Sequence, residues 1–104
     1  MKSLALTAAV SVSLCSGAVF AADGPQLLKE KACLSCHTLD NKLVGPAYKD
    51  VAAKYKSRAD ARDYIVKKIR GGSTGVWGPI PMPPNSTVSE AEAKILAQYI
   101  LTLK

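Results

Sequence analysis

Large aromatic residues and strand-forming patterns are both scarce in this sequence. Phe, Trp and Tyr together make up only 6% of the 104 residues, and no stretch alternates polar and apolar residues for long enough to predict a strand. A side-chain core of this composition lacks bulky filler, so the sequence favours an all-α domain with room for a non-protein group at its centre. The length allows one small domain and excludes a two-domain enzyme with a cleft between lobes. The 48% hydrophobic and 21% charged residues exclude a disordered chain.

Charged residues are absent from 4–20, a stretch rich in Ala, Val, Leu and Ser that follows Lys2 and leads into small residues. A basic start, an apolar middle and small residues at the end are typical of a secretory signal peptide. We therefore expect residues 1–21 to be removed by cleavage after Ala21, with Ala22 as a less favourable cleavage position.

Two other fates for this N-terminal segment are disfavoured. A retained membrane anchor would need ~20 apolar residues to span a bilayer, and this run is shorter and contains several Ser and Thr. Lipid attachment at Cys15 would need a small preceding residue, whereas Leu14 stands there. The sequence thus predicts a periplasmic protein with no stable membrane insertion.

The domain that remains, 22–104, has 83 residues and an excess of basic side chains. Removing 1–21 takes away Lys2 and no acid, which leaves 13 basic residues against 8 acidic ones, a net charge of +5. It also leaves two of the three cysteines, Cys33 and Cys36. A domain this small is near the lower limit for a single hydrophobic core and often needs disulfides, a metal or a cofactor. Two neighbouring thiols in an oxidising compartment also need a covalent partner.

Four helices are predicted along this domain. Asp23 is expected to cap the first, with Pro25 in its opening turn, and a Ser-x-x-Glu capping box at 89–92 opens the last. The third runs from about 60 to 70 and ends in two glycines, before an irregular loop, 71–88, with four Gly and four Pro. The predicted core-facing residues, grouped by helix, are Leu27, Leu28 and Ala32; Tyr48, Val51, Ala52 and Tyr55; Tyr64, Ile65 and Ile69; and Ile95, Leu96, Tyr99, Ile100 and Leu103.

The motif that carries chemistry is Cys33-Leu-Ser-Cys36-His37. Cys-x-x-Cys-His is the attachment site of c-type haem, in which the two thiols form thioethers with the porphyrin vinyl groups and the adjacent His ligates the iron. A thioredoxin-like redox pair would need a βαβ setting that the helical pattern does not offer. A structural zinc site would need four ligands, and His37 is the only His. A simple disulfide between the two cysteines is possible, but it would not explain the adjacent His37.

The haem iron needs a sixth ligand or an open face for a substrate gas, and the candidate ligand lies in the proline-rich loop. Met82 is the only Met of 22–104 and is flanked by prolines, which restrict the backbone and give its side chain one direction. A lone Met more often fills a gap in a hydrophobic core. We nevertheless favour Met82 as the ligand opposite His37, because a rigid loop can hold a weak thioether against iron.

Three further residues are candidates for contacts with the haem propionates. The indole N–H of Trp77 is suited to donate a hydrogen bond to a propionate, and the alternative is an ordinary half-buried aromatic. Lys68 and Arg70 have the charge to neutralise a propionate, although cations on a helix are more often simply solvated.

Together, the Cys-x-x-Cys-His motif, 44–52 and the long 75–85 segment resemble the small bacterial cytochromes c of the c-551/c-552 type. The 75–85 segment, Gly-Val-Trp-Gly-Pro-Ile-Pro-Met-Pro-Pro-Asn, is highly specific, and the resemblance extends over essentially the whole domain, 22–104. It implies an all-α, class I cytochrome c fold of four to five short helices around one covalently attached haem c. Members of this family are periplasmic electron carriers that donate to nitrite reductase or a terminal oxidase.

The resemblance also implies roles for individual residues. It makes His37 and Met82 the axial ligands, and it makes the Pro46 carbonyl the acceptor for the His ring N–H, which orients the ring. Asn85 resembles the amide that hydrogen-bonds near the Met sulfur. The implied propionate partners are Trp77 and Lys68, and Lys68 departs from those relatives that have Arg at its position.

These residues predict an electron carrier and not an enzyme, because protein atoms fill both axial positions. We expect a monomer whose exposed haem edge, surrounded by Leu34, Leu43, Ile80, Pro81 and Pro83, meets redox partner proteins briefly. The net charge suggests acidic partner surfaces, and nucleic-acid binding is not expected. The alternative is a haem-based peroxidase or gas-binding protein with an open sixth coordination site. A detached cytochrome module of a larger oxidoreductase is a third hypothesis.

Overall fold

The computed structural model describes residues 23–104, together with 3, 5 and 7–11 near the N-terminus. Most of the predicted signal peptide, including both predicted cleavage positions, lies outside the described residues. Among the residues that the structure describes, none of the helices combines the length and apolar character that crossing a membrane requires.

Four α-helices and one short 3-10 turn make up the domain. They are α1 (Gly24–Glu30), the turn Cys33–Ser35, α2 (Tyr48–Tyr55), α3 (Ala61–Gly71) and α4 (Glu90–Leu101). Within the described residues there is no strand, and the only β-type pairing is an isolated bridge between Ser73 and Met82. The predicted all-α class is therefore confirmed.

The helix ends follow from local side-chain chemistry. The Asp23 carboxylate accepts the Gln26 backbone N–H at 2.8 Å, which caps the start of α1. At α4, the Ser89 hydroxyl accepts the Glu92 N–H at 3.1 Å, and the Glu92 carboxylate accepts the Ser89 N–H at 3.0 Å. This reciprocal pair is the capping box that the sequence predicts. Gly72 ends α3 with φ of 80°, a conformation that favours glycine.

Helix α4 is the centre of the packing and contacts α1, α2 and α3. Leu96 of α4 and Leu27 of α1 are the largest fully buried side chains, and Ala93 and Ala97 of α4 are also fully buried. These two small residues let the other helices approach α4 closely. The core that results is built mostly of aliphatic side chains: Leu27, Leu28, Val51, Ile65, Val66, Ile69, Val88, Leu96 and Ile100, together with the buried Tyr48 and Tyr55.

One of the predicted core positions is wrong, and four others are only partly buried. Ala32 does not lie on α1, because the helix ends at Glu30 and Ala32 turns into the left-handed region with φ of 58°, where it is exposed. The four residues that are half-buried and pack against the core are Tyr64, Ile95, Tyr99 and Leu103, the last of which lies beyond the end of α4. The Tyr64 ring packs on the buried Tyr55, with 4.8 Å between centroids.

Candidate functional site

The two cysteines and the histidine are brought together by the tight 3-10 turn. The backbone N–H groups of Cys36 and His37 both donate to the Cys33 carbonyl, at 3.2 and 3.1 Å. Both thiols are free; Cys33 is half-buried and Cys36 is exposed, while His37 is buried. Such a turn leaves both thiols accessible beside a ring that the protein holds in place.

The His37 ring is oriented by the segment that follows it. Its Nδ1 lies 2.8 Å from the carbonyl oxygen of Pro46. Because a carbonyl can only accept, Nδ1 carries the proton and Nε2 is the nitrogen whose lone pair is available to a metal. Gly45 lies against the ring, and a side-chain carbon at that position would be 2.8 Å from Nδ1. The Gly45 N–H also donates to the Cys36 carbonyl at 2.7 Å, which ties this segment to the thiol turn.

Tyr48, the first residue of α2, also packs against the His37 ring. The two rings are stacked with centroids 4.7 Å apart. Burial, the largest cause, raises the pKa of the Tyr48 phenol, and the neighbouring Cys33 sulfur raises it further. Burial likewise raises the pKa of the Cys33 thiol. The sequence identified Tyr48 only as a core residue of α2, and its contact with the His ring was missed.

Met82 is held in its loop by backbone bonds on both sides. Ser73 and Met82 exchange two hydrogen bonds, with N···O distances of 3.0 and 2.8 Å. Further on, both the backbone N–H and the side-chain amide of Asn85 donate to the Ile69 carbonyl of α3, at 3.0 and 3.2 Å. A side-chain carbon on Gly72 would lie 2.7 Å from the Met82 carbonyl oxygen, so the Ser73–Met82 bridge needs glycine there. The loop around Met82 is thus anchored to the end of α3.

Trp77 lies on the same loop and contacts α2. Its ring meets Tyr55, the last residue of α2, edge to face at a centroid distance of 6.2 Å. The ammonium of Lys54 lies over the indole ring, 4.5 Å from its centroid. The ammonium of Lys68 lies 5.2 Å from the centroid of the Tyr64 ring. The sequence identified Trp77 and Lys68 as candidates, whereas the contact of Lys54 with Trp77 was missed.

Helix α2 therefore contacts both the part of the site around His37 and the part around Trp77. Tyr48 at its first turn contacts His37, and Tyr55 at its last turn contacts Trp77. Seven residues apart, the two tyrosines share one face of the helix and are about 10 Å apart along its axis. In the sequence, the seven-residue spacing indicates that both tyrosines lie on one face of a helix. The same spacing is expected of residues that only face the core, so it did not identify either tyrosine as part of the site.

Exposed apolar side chains cluster on the segments that carry the motifs. Within 23–104, the large hydrophobic residues with high exposure are Leu34, Leu43, Val44, Trp77 and Ile80. They lie beside the thiols and His37 or on the Met82 loop, and nowhere else in that range. Apolar surface, two free thiols, one oriented imidazole and one thioether are the groups that a covalently attached haem requires, so the residues present fit haem c.

An all-α domain with a thiol pair next to an oriented His defines the class of small c-type cytochromes. A model of the cytochrome c family matches this chain over residues 21–104. The chain is 53% identical over 98 residues to cytochrome c-552 of Nitrosomonas europaea, covering 94% of this chain and 93% of that protein. It is 52% identical over 104 residues to cytochrome c-552 of Hydrogenobacter thermophilus, covering 100% of both. The wild-type crystal structure of the N. europaea protein superposes with a TM-score of 0.76 at 57% identity, covering 77% of this chain and 99% of that chain.

The chain therefore belongs to the cytochrome c family, with the class I fold. Membership implies an electron carrier with one covalently attached haem c. The Cys33 and Cys36 pair fits the Cys-x-x-Cys-His motif of that family. The predicted family, fold class and cofactor are confirmed.

Proposed function

We propose that this protein is a periplasmic electron carrier in which His37 and Met82 ligate the iron of a haem c bound through Cys33 and Cys36. It shuttles single electrons between a respiratory donor complex and an acceptor such as nitrite reductase or a cytochrome oxidase. It acts as a monomer and catalyses no reaction of its own.

The observation that carries this proposal is the orientation of His37. The Pro46 carbonyl oxygen accepts from Nδ1 at an N···O distance of 2.8 Å, Tyr48 stacks on the ring, and Gly45 lies against the ring where a side chain would not fit. An imidazole whose second nitrogen is hydrogen-bonded is the usual form of a metal-ligating His, because the bond fixes the tautomer and raises the basicity of the ligating nitrogen.

The thioether of Met82 is the second ligand in this proposal. The bridge to Ser73 and the double contact of Asn85 with the Ile69 carbonyl restrict the loop on both sides of Met82. Thioethers are weak ligands, so a loop that is already ordered reduces the entropy lost when the ligand binds. Trp77 and Lys68 are the proposed propionate partners, and Asn85 the proposed amide beside the Met sulfur.

Haem iron supplies reversible one-electron transfer when bound. In this proposal the protein binds the haem, provides two ligands to its iron and leaves one edge of the haem open to partner proteins. Leu34, Leu43 and Ile80 are exposed in the segments around the motif residues. A small apolar surface on a protein with 14 basic and 8 acidic residues suits brief encounters with acidic partners, in which the on-rate matters more than the affinity.

The periplasmic location rests on the N-terminal sequence. We propose that 1–21 is a signal peptide and that 22–104 is the exported cytochrome domain. The intact mass of the exported protein distinguishes cleavage after Ala21 from cleavage after Ala22, and a mass that retains the full N-terminus contradicts the proposal.

The test of the ligand set uses Met82→Ala, with Ile80→Ala as the matched control on the same loop. If Met82 is the ligand, the reduced holoprotein binds CO only in the Met82→Ala variant. Ile80 is exposed, so its removal leaves CO binding absent. Ready CO binding by the wild-type protein would instead support the haem-based peroxidase or gas-binding hypothesis, in which the sixth position is open.

A further inference from the structure

The Lys54 side chain makes the shortest cation–π contact with a proposed haem-site residue. Its Nζ lies 4.5 Å from the Trp77 ring centroid and 5.7 Å from that of Tyr55. No acidic side chain within 23–104 forms an ion pair with it. The ammonium therefore lies beside the two rings, and no carboxylate in that range pairs with it.

Trp77 has few other restraints. It lies in the loop between α3 and α4, and its side chain is 37% exposed. The indole is bounded by the Tyr55 edge at one side and by the Lys54 ammonium. An ammonium over the face of an indole is attracted by the ring quadrupole. Lys54 therefore favours the position in which the indole lies beneath its ammonium.

We propose that Lys54 is a positioning residue for Trp77 and that its ammonium raises the reduction potential of the haem. The inference rests on the proposed function in one respect, namely that Trp77 lies at the haem edge as a propionate partner. Lys54 then has two effects. It orients the indole N–H of Trp77, and it places a positive charge near the same edge of the haem.

The sign of the second effect follows from electrostatics. Reduction adds one negative charge to the site, so a nearby positive charge stabilises the reduced form and raises the potential. The interaction falls with distance and with the local dielectric constant. Lys54 is exposed, and added salt therefore weakens its effect, since the Debye length is about 10 Å at 0.1 M ionic strength.

The test compares Lys54→Met with Lys56→Met in the holoprotein. Both substitutions remove one positive charge from exposed positions at the end of α2, and Lys56 lies over no aromatic ring of the described residues. Methionine keeps an apolar chain of similar length but lacks the ammonium, so Lys54→Met removes the cation–π contact with Trp77 without opening a large gap. Lys54→Arg restores the charge and the contact with the ring.

Two readouts are measured for each variant. The first is the reduction potential, and the second is the NMR signal of the indole N–H, which is unambiguous because the chain has one Trp. We expect Lys54→Met to lower the potential at least twice as much as Lys56→Met and to shift the indole signal. Lys54→Arg should return both readouts close to the wild-type values, and Lys56→Met should leave the indole signal in place.

Two results would overturn the inference. Equal falls in potential for both Met variants would show that only net charge matters, and an unmoved indole signal in Lys54→Met would exclude a positioning role. The CO-binding test on the same samples separates this failure from failure of the proposed function. Ready CO binding by the wild-type protein contradicts ligation by Met82, whereas a closed sixth position with equal potentials contradicts only the role of Lys54.

Discussion

At the scale of single residues, Ala32 has the most unusual backbone of the site. It is the only non-glycine residue with positive φ among those the structure describes, and it directly precedes Cys33. Its N–H donates to the Lys29 carbonyl and its own carbonyl accepts from Ser35, so it joins the end of α1 to the thiol turn. The left-handed conformation is therefore imposed by the hydrogen bonds on both sides.

Replacing Ala32 with Gly should stabilise the protein. An L-residue in the left-handed region costs about 1–2 kcal/mol. Glycine removes that cost but loses about 0.4–1 kcal/mol through the greater freedom of the unfolded chain. We expect a net gain of roughly 0.5–1 kcal/mol in the free energy of unfolding, measured by denaturant titration of the holoprotein.

Ala53→Gly is the matched control for that measurement. Ala53 is exposed in the interior of α2, where the same substitution should destabilise the protein by about 1 kcal/mol. If Ala32→Gly were as destabilising as Ala53→Gly, the strained conformation of Ala32 would be contradicted.

At the scale of elements, the helices were predictable because their signals are local. Asp23 and the 89–92 capping box mark the starts of α1 and α4, and the glycines after 70 mark the end of α3. The 71–88 loop was predicted only as irregular, because its order comes from pairings between distant residues. The Ser73–Met82 bridge and the contact of Asn85 with Ile69 leave no periodic pattern in the sequence.

The candidate site also contains residues that the sequence identifies and contacts that it does not. Cys33, Cys36 and His37 form a short contiguous motif, and Met82 could be singled out because no other Met competes with it in 22–104. The contact of Lys54 with Trp77 joins residues 23 positions apart, and a Lys on a helix is usually solvated. Nothing in the sequence distinguished Lys54 from the other lysines.

The α4 capping box predicts an acid-sensitive contribution to stability. The Ser89 backbone N–H, followed by the Ser89 hydroxyl and Lys31, holds the pKa of the Glu92 carboxyl below its ordinary value of 4.5. A lowered pKa in the folded state means that this stabilisation is present above pH 4.5 and is lost as the pH falls through the folded value. We expect Glu92→Gln to be less stable than the wild-type protein at pH 7, with the difference shrinking below pH 4.5.

Glu90→Gln serves as the control in thermal unfolding measured over the same pH range. Glu90 also lies in the first turn of α4, where it pairs with Lys94 instead of closing the capping box. Its substitution should cost less stability at pH 7, because an exposed i,i+4 ion pair contributes little. A larger loss for Glu90→Gln than for Glu92→Gln would contradict the role assigned to the box.

At the scale of the whole molecule, charge governs the encounter with partners. With the proposed removal of 1–21, the protein has 13 basic and 8 acidic residues, and this excess of positive charge attracts anions at a distance. This long-range attraction acts on the rate of association and is screened by salt.

The rate constant of electron transfer to hexacyanoferrate(III), a small anion, should therefore fall several-fold between 10 mM and 200 mM ionic strength, where the Debye length shrinks from about 30 Å to below 10 Å. With a cationic cobalt complex as oxidant, the rate should rise over the same range. Stopped-flow absorbance of the haem measures both rates. Identical salt dependence for the two oxidants would contradict electrostatic steering by the excess basic charge.

Ligation of the haem iron by both His37 and Met82 can be tested in the absorption spectrum of the oxidised, periplasmically expressed protein. The wild-type protein should show the weak red charge-transfer band of Met-ligated ferric haem, and Met82→Ala should lack it. A wild-type spectrum without that band, or a band that survives in Met82→Ala, would contradict ligation by Met82.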